Sequence, residues 1–314
     1  MKRFCALTLI GLLIVFAAGS AYAARIYSFD KTVGKEGKAF GEFQGPIGIA
    51  IDSDGFLYVS DAENNRIQKF SADGTFLKAW GSEGTGQGQL NRPMHIDMGP
   101  DGNLYVAEYL NDRVQVFDRE GRFLRFIGLK PDGQSYFDAP AGVAVDSKGF
   151  VYVADFYHHQ IQKFSPQGKF VASLGTPGRA WAGKLHYPTD LAISRDGNLI
   201  IADAYNNRIQ KMSTDGKPLE QWGGLWGFGI PGSWRGYFKV ATGITVDREG
   251  SIYAVDFYNN RLQKLSSTGK VLAVFQGQGN ESLKYPTDVA VDAKGNIWVV
   301  DFGHNRIVRL RSLL

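Results

Sequence analysis

The chain has 314 residues, with 35 lysines and arginines against 31 aspartates and glutamates, and a single cysteine. Lys2 and Arg3 carry two of the four net positive charges, so the remainder is close to neutral and offers no strongly basic face for nucleic acid. One cysteine excludes a disulfide framework and a thiolate metal centre, so stability has to come from apolar burial.

In chain order, the first element is a leader. Lys2 and Arg3 precede an apolar run from Phe4 to Ala18, and Ala21-Tyr22-Ala23 has the small-x-small pattern of a signal-peptidase site. The run falls short of the roughly 20 residues that span a bilayer. A signal peptide over residues 1–23 is therefore expected, with a mature domain over 24–314 that is periplasmic or secreted and has no stable membrane insertion. Cys5 leaves with the leader and follows no lipobox, so no lipid anchor is expected.

Residues 25–37, RIYSFDKTVGKEG, read as a single strand. After them a pattern recurs: VSDAENNRIQKF (59–70), VAEYLNDRVQVF (106–117), VADFYHHQIQKF (153–164), IADAYNNRIQKM (201–212), AVDFYNNRLQKL (254–265) and VVDFGHNRIVRL (299–310). The acidic residues Asp61, Glu108, Asp155, Asp203, Asp256 and Asp301 mark six copies 45 to 53 residues apart, the spacing of a supersecondary array. Within the first copy, GIAID, FLYVSD, RIQKF and FLKAWG are β-prone runs separated by the turn-formers DSDG, AENN and SADG. Each copy is thus a four-stranded antiparallel unit. The first strands are almost wholly apolar, as inner strands should be, and the fourth are mixed, as outer strands should be.

Six such units arranged radially make an all-β, six-bladed β-propeller. The sixth copy stops after its third strand, RIVRL, while RIYSFDKTVGKEG resembles the fourth-strand segment TFLKAWGSEG. The N-terminal strand is expected to complete the last blade and close the ring, leaving no unpaired edge. The motif Pro-x-Gly/Asp-Ile/Val-Ala-Val-Asp, then Asp-Gly-x-Ile/Leu-Tyr-Val-Ala-Asp, then Asn-Asn-Arg-Ile-Gln-Lys-Phe resembles the NHL repeat across essentially all of residues 25–314. That resemblance implies the six-bladed fold. It leaves function open, because NHL propellers serve RNA-binding, protein-binding and enzymatic roles.

The acid and the arginine five residues later (Arg66, Arg113, Arg208, Arg261, Arg306) recur around the ring and read as turn chemistry, the arginine pairing a carboxylate or a carbonyl. Blade three has Gln160 instead. His158 and His159 occupy the Asn-Asn turn positions, and no partner ligand at a recognisable spacing makes them a metal pair. One face carries terse, uniform turns. The other, built from the loops between second and third strands and between blades, varies, and recognition is usually built on such loops. Its aromatic residues suit a protein, peptide or glycan partner: Tyr109, Phe156, Tyr157, Tyr205, Trp226, Trp234 and Tyr258, with Arg235 beside them.

Two residues after each blade's proline, or the equivalent Ala241, stand Gly48, His95, Gly142, Asp190, Gly243 and Asp288. Every second blade thus presents His or Asp. His95, Asp190 and Asp288 could gather around a divalent cation at the channel mouth, although Gly or Asp here is ordinary repeat usage and Asp can serve strand-end amides. No cofactor is otherwise expected.

The sequence is also similar to peptidyl-hydroxyglycine amidating lyases, six-bladed propellers of this kind. The resemblance implies a catalytic Tyr two residues beyond a second-strand Asp, a position that Tyr157, Tyr205 and Tyr258 match. It also implies zinc-binding His directly after the proline in three blades, where this chain has Ile47, Met94, Ala141, Thr189, Thr242 and Thr287. His95 stands one residue later. With no G-x-S-x-G nucleophile motif either, the expectation is an exported single module that is monomeric and binds rather than catalyses. A metal-dependent lyase or hydrolase is the alternative, and an RNA-binding NHL domain the third reading.

Overall fold

A computed structural model describes residues 27–130 and 132–312; the expected signal peptide lies outside them. Six four-stranded antiparallel sheets form the ring. The inner strands are Pro46–Ile51, Pro93–Met98, Pro140–Val145, Pro188–Ile193, Ala241–Val246 and Pro286–Val291. Each pairs with a second strand that is buried throughout, from Leu57–Asp61 in the first blade to Ile297–Asp301 in the last. The outer strands, such as Phe76–Trp80 and Pro218–Trp222, are half open to solvent. The apolar core is divided into slabs between neighbouring blades: Tyr105, Val114 and Ile127 of blade two, for example, pack on Phe137, Val153 and Phe164 of blade three. Burying both faces of every sheet in this way needs the continuous apolar strands that the sequence supplies.

The N-terminal strand closes the ring as expected. Tyr27–Val33 pairs antiparallel with Arg306–Ser312 and becomes the outer strand of the sixth sheet, with Tyr27 opposite Ser312 and Val33 opposite Ile307. Asp30 forms ion pairs with Arg309 and Arg311 across that seam. The loop that follows repeats the geometry of a blade-to-blade connection, since the bridge between Glu36 and Phe43 has its counterpart between Glu83 and Leu90.

The pairing of inner and second strands is irregular at its start in all six blades, for example between Pro93 and Ile96 and between Pro188 and Asp190. A bulge there re-aims the side chains next to it. The position two residues after the proline is thereby turned to the ring axis.

Candidate functional site

The recurring acids are fully buried, and their oxygens are committed to structure. Asp61 Oδ1 accepts the Gln44 N–H, and its Oδ2 accepts from Asn64, Arg66 and Gln68. The Arg66 guanidinium then donates to the carbonyls of Lys38, Ala39 and Glu42 in the loop entering the blade. Burial pushes the Asp61 carboxyl up from its ordinary range, and the amide, Asn64 and Arg66 bonds pull it back. The acid and arginine positions are therefore clamps, one per blade with variations. In blades three and six His158 Nδ1 meets Asp155 at 2.7 Å and His304 Nδ1 meets Asp301 at 2.8 Å, where the other four blades use asparagine, so these two histidines hold turns.

His159 also has a turn role. Its φ of 55° is left-handed, as are those of Asn65, Asp112, Asn207, Asn260 and Asn305 at the same place. Each of the six side chains accepts the main-chain N–H of the residue that precedes the inner strand of the next blade; for His159 that residue is Tyr187, at 3.0 Å. Histidine, like asparagine, can offer a short acceptor from a left-handed backbone.

This stitch organises the variable face. Tyr187, itself at φ 52°, is held between Phe156 (ring centroids 4.7 Å apart), His159 (4.3 Å) and Tyr205 (5.0 Å). Tyr109 joins the same tract through Phe156, and its hydroxyl donates to that of Tyr157 at 2.9 Å. Burial and that bond push the Tyr109 phenol up to about 12, so it stays neutral. Tyr157 and Tyr205 are each 47% exposed. Four of the expected residues, Tyr109, Phe156, Tyr157 and Tyr205, thus form one surface. Tyr258 belongs to a second tract with Phe257 and Tyr285.

Trp226 and Trp234 are the most open of the expected aromatic residues, at 80% and 75%, and among the described residues no ring contact joins them to either tract. Arg235 donates to the Leu272 carbonyl on the outer strand Val271–Phe275, which places its guanidinium at the periphery of the ring. Tyr187 and Tyr285 were not among the expected residues. Their signal is that both directly precede a repeat's proline, a position that elsewhere holds Gly45, Arg92 and Ala139.

Beside the first tract, the rings of His159 and His186 stack with centroids 5.2 Å apart. Burial lowers both imidazoles from their ordinary value; the Arg179 guanidinium lowers His186 further, and His159 is lowered further by the charge His186 acquires when it is itself protonated. Both are therefore neutral around pH 7.

On the axis the structure brings together His95, Asp190 and Asp288, all buried. His95 Nδ1 lies 3.3 Å from Asp288 Oδ2 and 3.7 Å from Asp190 Oδ2. Burial pulls the imidazole down, but the two carboxylates outweigh it and raise it to about 9; burial drives the Asp190 carboxyl upward. Glycine on the alternate blades makes this convergence possible. A Cβ on Gly142 would stand 2.7 Å from the Asp190 Cα, and one on Gly243 2.5 Å from the Asp288 Cα. The positions directly after the proline hold no imidazole: the hydroxyls of Thr189 and Thr287 donate to the Thr242 and Ile47 carbonyls of the next blade.

A family model described as the virginiamycin B lyase family matches residues 35–313. Among solved structures, a catalytically inactive histidine-to-alanine variant of virginiamycin B lyase from Staphylococcus aureus with quinupristin is 18% identical, with a TM-score of 0.62 over 91% of this chain and 86% of that one. A streptogramin B lyase is 16% identical, with a TM-score of 0.65 over 92% and 99%. A gluconolactonase from Xanthomonas campestris is 15% identical, with a TM-score of 0.68 over 94% and 93%. At these identities the likeness is one of fold. Protein lin-41 of Caenorhabditis elegans is 48% identical over 46 residues, which span 15% of this chain and 4% of that protein.

Proposed function

The chain belongs to the virginiamycin B lyase family, and within that family we propose that it is a binding propeller whose variable face takes a protein or peptide segment rich in apolar side chains. The observation that carries this reading is the continuous tract Tyr109–Phe156–Tyr157–Tyr187–Tyr205, part buried and part open, with phenol hydroxyls at its edge. Aromatic rings held by loops of a rigid scaffold offer contact area at small entropic cost, and the hydroxyls can meet peptide groups. The buried acids of the same face are occupied by their clamps, which leaves the rings as its principal means of recognition.

Panning a displayed peptide library against the full chain, followed by fluorescence titration of an enriched peptide, tests this. Truncating anchors at the centre of an interface costs about 2 kcal/mol or more each, so the Tyr157→Ala/Tyr205→Ala variant should bind at least tenfold more weakly at unchanged circular dichroism. Equal binding by both proteins, or enrichment of no peptide, would overturn the reading; selective binding on a glycan array would replace the peptide with a sugar.

A second reading, lyase or hydrolase chemistry, rests on His159 and His186. Two neutral imidazoles beside an aromatic surface are suited to proton abstraction from a bound substrate. Incubation with a streptogramin B, followed by mass spectrometry, tests it: loss of substrate that is abolished in His186→Ala supports catalysis, and an unchanged substrate counts against it.

A further inference from the structure

We propose that His95, Asp190 and Asp288 bind one divalent transition-metal ion, Zn2+ or Mn2+, on the propeller axis. This site is separate from the aromatic face and does not rest on the binding reading.

The first support is geometric. The three donors come from the same strand position in blades two, four and six, and their nearest ligand atoms all lie within 4.8 Å of one another. Nitrogen and carboxylate ligands sit about 2.0–2.2 Å from zinc, which requires donor atoms roughly 3–3.5 Å apart. His95 Nδ1 is already 3.3 Å from Asp288 Oδ2 and 3.7 Å from Asp190 Oδ2. Small side-chain rotations bring the set into coordination.

The second support is an unmet need. His95 is 3% exposed, and its Nδ1 has no hydrogen-bond partner. The ring approaches the two carboxylates off the hydrogen-bond direction, although it is close enough to feel their charge. A buried polar atom without a partner is costly, and here the atom is aimed into a cluster of ligand oxygens.

The carboxylates are held ready for such a role. Asp288 Oδ2 accepts the Ile49 N–H at 2.8 Å and its Oδ1 the Val289 N–H at 2.7 Å, while Asp190 Oδ2 accepts the Ile244 N–H at 2.9 Å. Ionised oxygens retain lone pairs beyond these bonds. The amides fix the direction of each carboxylate, so little ordering remains to be done when an ion arrives.

Charge balance points the same way. Two carboxylates and one imidazole share this buried space, and with both carboxylates ionised the set is short of positive charge, which is expensive to bury uncompensated. A divalent ion with a neutral imidazole balances the pair. Beyond the cluster the axial channel holds a cavity of about 250 Å³ lined by Asp190, Asp288 and Asp97, with room for water to complete the coordination shell. The imidazole favours Zn2+ over Ca2+ and Mg2+, which prefer all-oxygen sets, and the two carboxylates also suit Mn2+. An ion held here would tie three alternate blades to one point.

The test uses full-length protein prepared without a polyhistidine tag and stripped by chelator. Calorimetric titration with Zn2+, Mn2+, Ca2+ and Mg2+ should show one tight Zn2+ or Mn2+ per chain and a raised melting temperature, since an ion that binds only the folded state stabilises it. Loss of even an outer partner of a metal ligand typically costs about 10–100-fold in affinity, so His95→Gln and Asp288→Asn should each weaken binding at least tenfold. Absence of stoichiometric uptake, preference for Ca2+ or Mg2+, or undiminished uptake in both variants would overturn the proposal. Should the variants not fold, the visible spectrum of the wild-type protein with one equivalent of Co2+ decides: ligand-field bands support the site and their absence overturns it.

Discussion

The side-chain oxygen of Asn305 in the last blade accepts the main-chain N–H of Gly45 in the first, at 2.8 Å. Five further bonds of this kind join the other neighbouring blades, from Asn65 to Arg92 through Asn260 to Tyr285. The contact is the loop-face counterpart of the strand seam between Tyr27–Val33 and Arg306–Ser312, so the ring is closed twice by non-covalent means.

Asn305→Ala removes that acceptor and also places alanine at a φ of 50°. A hydrogen bond contributes about 0.5–1.5 kcal/mol, and a left-handed backbone without an asparagine or glycine costs about 1–2 kcal/mol more. Denaturant melts should show a loss of about 1.5–3.5 kcal/mol, whereas Asn305→Gly should lose less because only the bond is gone. Equal losses in the two variants would mean that the bond, and not the backbone, dominates.

Arg208 offers a larger effect. It is fully buried, pairs with Asp203 at 2.8 Å and donates to the carbonyls of Trp181 and Lys184. Burial already pushes the Asp203 carboxyl up, and Arg208 is the chief group opposing that. Arg208→Met should destabilise by about 3–5 kcal/mol, the usual cost of stranding a buried charge. Blade three shows how the fold can do without the cation: Gln160 replaces the arginine, and His158 and Gln162 both contact Asp155. Arg208→Gln in blade four, which has Asn206 in place of His158, should therefore recover only part of the loss in the same melts.

Much of this architecture could be read from the chain because repetition separates scaffold from decoration. The six acids, their arginines, the lone strand at the start and the missing fourth strand of the last copy specify the blade count and the closure, and the alternation of Gly48, His95, Gly142, Asp190, Gly243 and Asp288 predicts side chains meeting on the axis. Tyr187 and Tyr285 escaped notice for a physical reason. They lie before a proline, where a turn residue is expected, and only the left-handed stitch from the preceding blade turns their rings into the aromatic face. Arg235 was placed on the rim by proximity in sequence to Trp234, but an available carbonyl on Leu272 draws it outward.

The glycines of the inner ring should be intolerant of even one methyl group. A Cβ at Gly142 would meet the Thr189 carbonyl oxygen and the Asp190 Cα, each at 2.7 Å, and both are backbone atoms of the neighbouring blade. Blades three and four would have to separate at the axis. Gly142→Ala is expected to cost about 1–3 kcal/mol and to lower the melting temperature; an unaltered melt would show that the inner strands have slack.

Stability should also depend on pH through His159 and His186. Burial lowers both imidazoles in the folded chain below the ordinary value of 6.5. As pH falls, the unfolded chain therefore binds protons at these positions before the folded chain does, and linkage makes the folded state lose ground. Their contribution is fully present above the unfolded value of about 6.5 and is lost progressively below it, until the folded imidazoles titrate in turn. Nuclear magnetic resonance titration of the two rings should give midpoints below 6.5, with His186→Gln raising that of His159 because a ring whose own protonation competes with it is gone. A His159 midpoint that stays fixed in this variant would mean that burial alone sets it, and a midpoint at or above 6.5 in the wild type would mean that the stacked pair is solvated and contributes nothing to the acid limb of the stability curve.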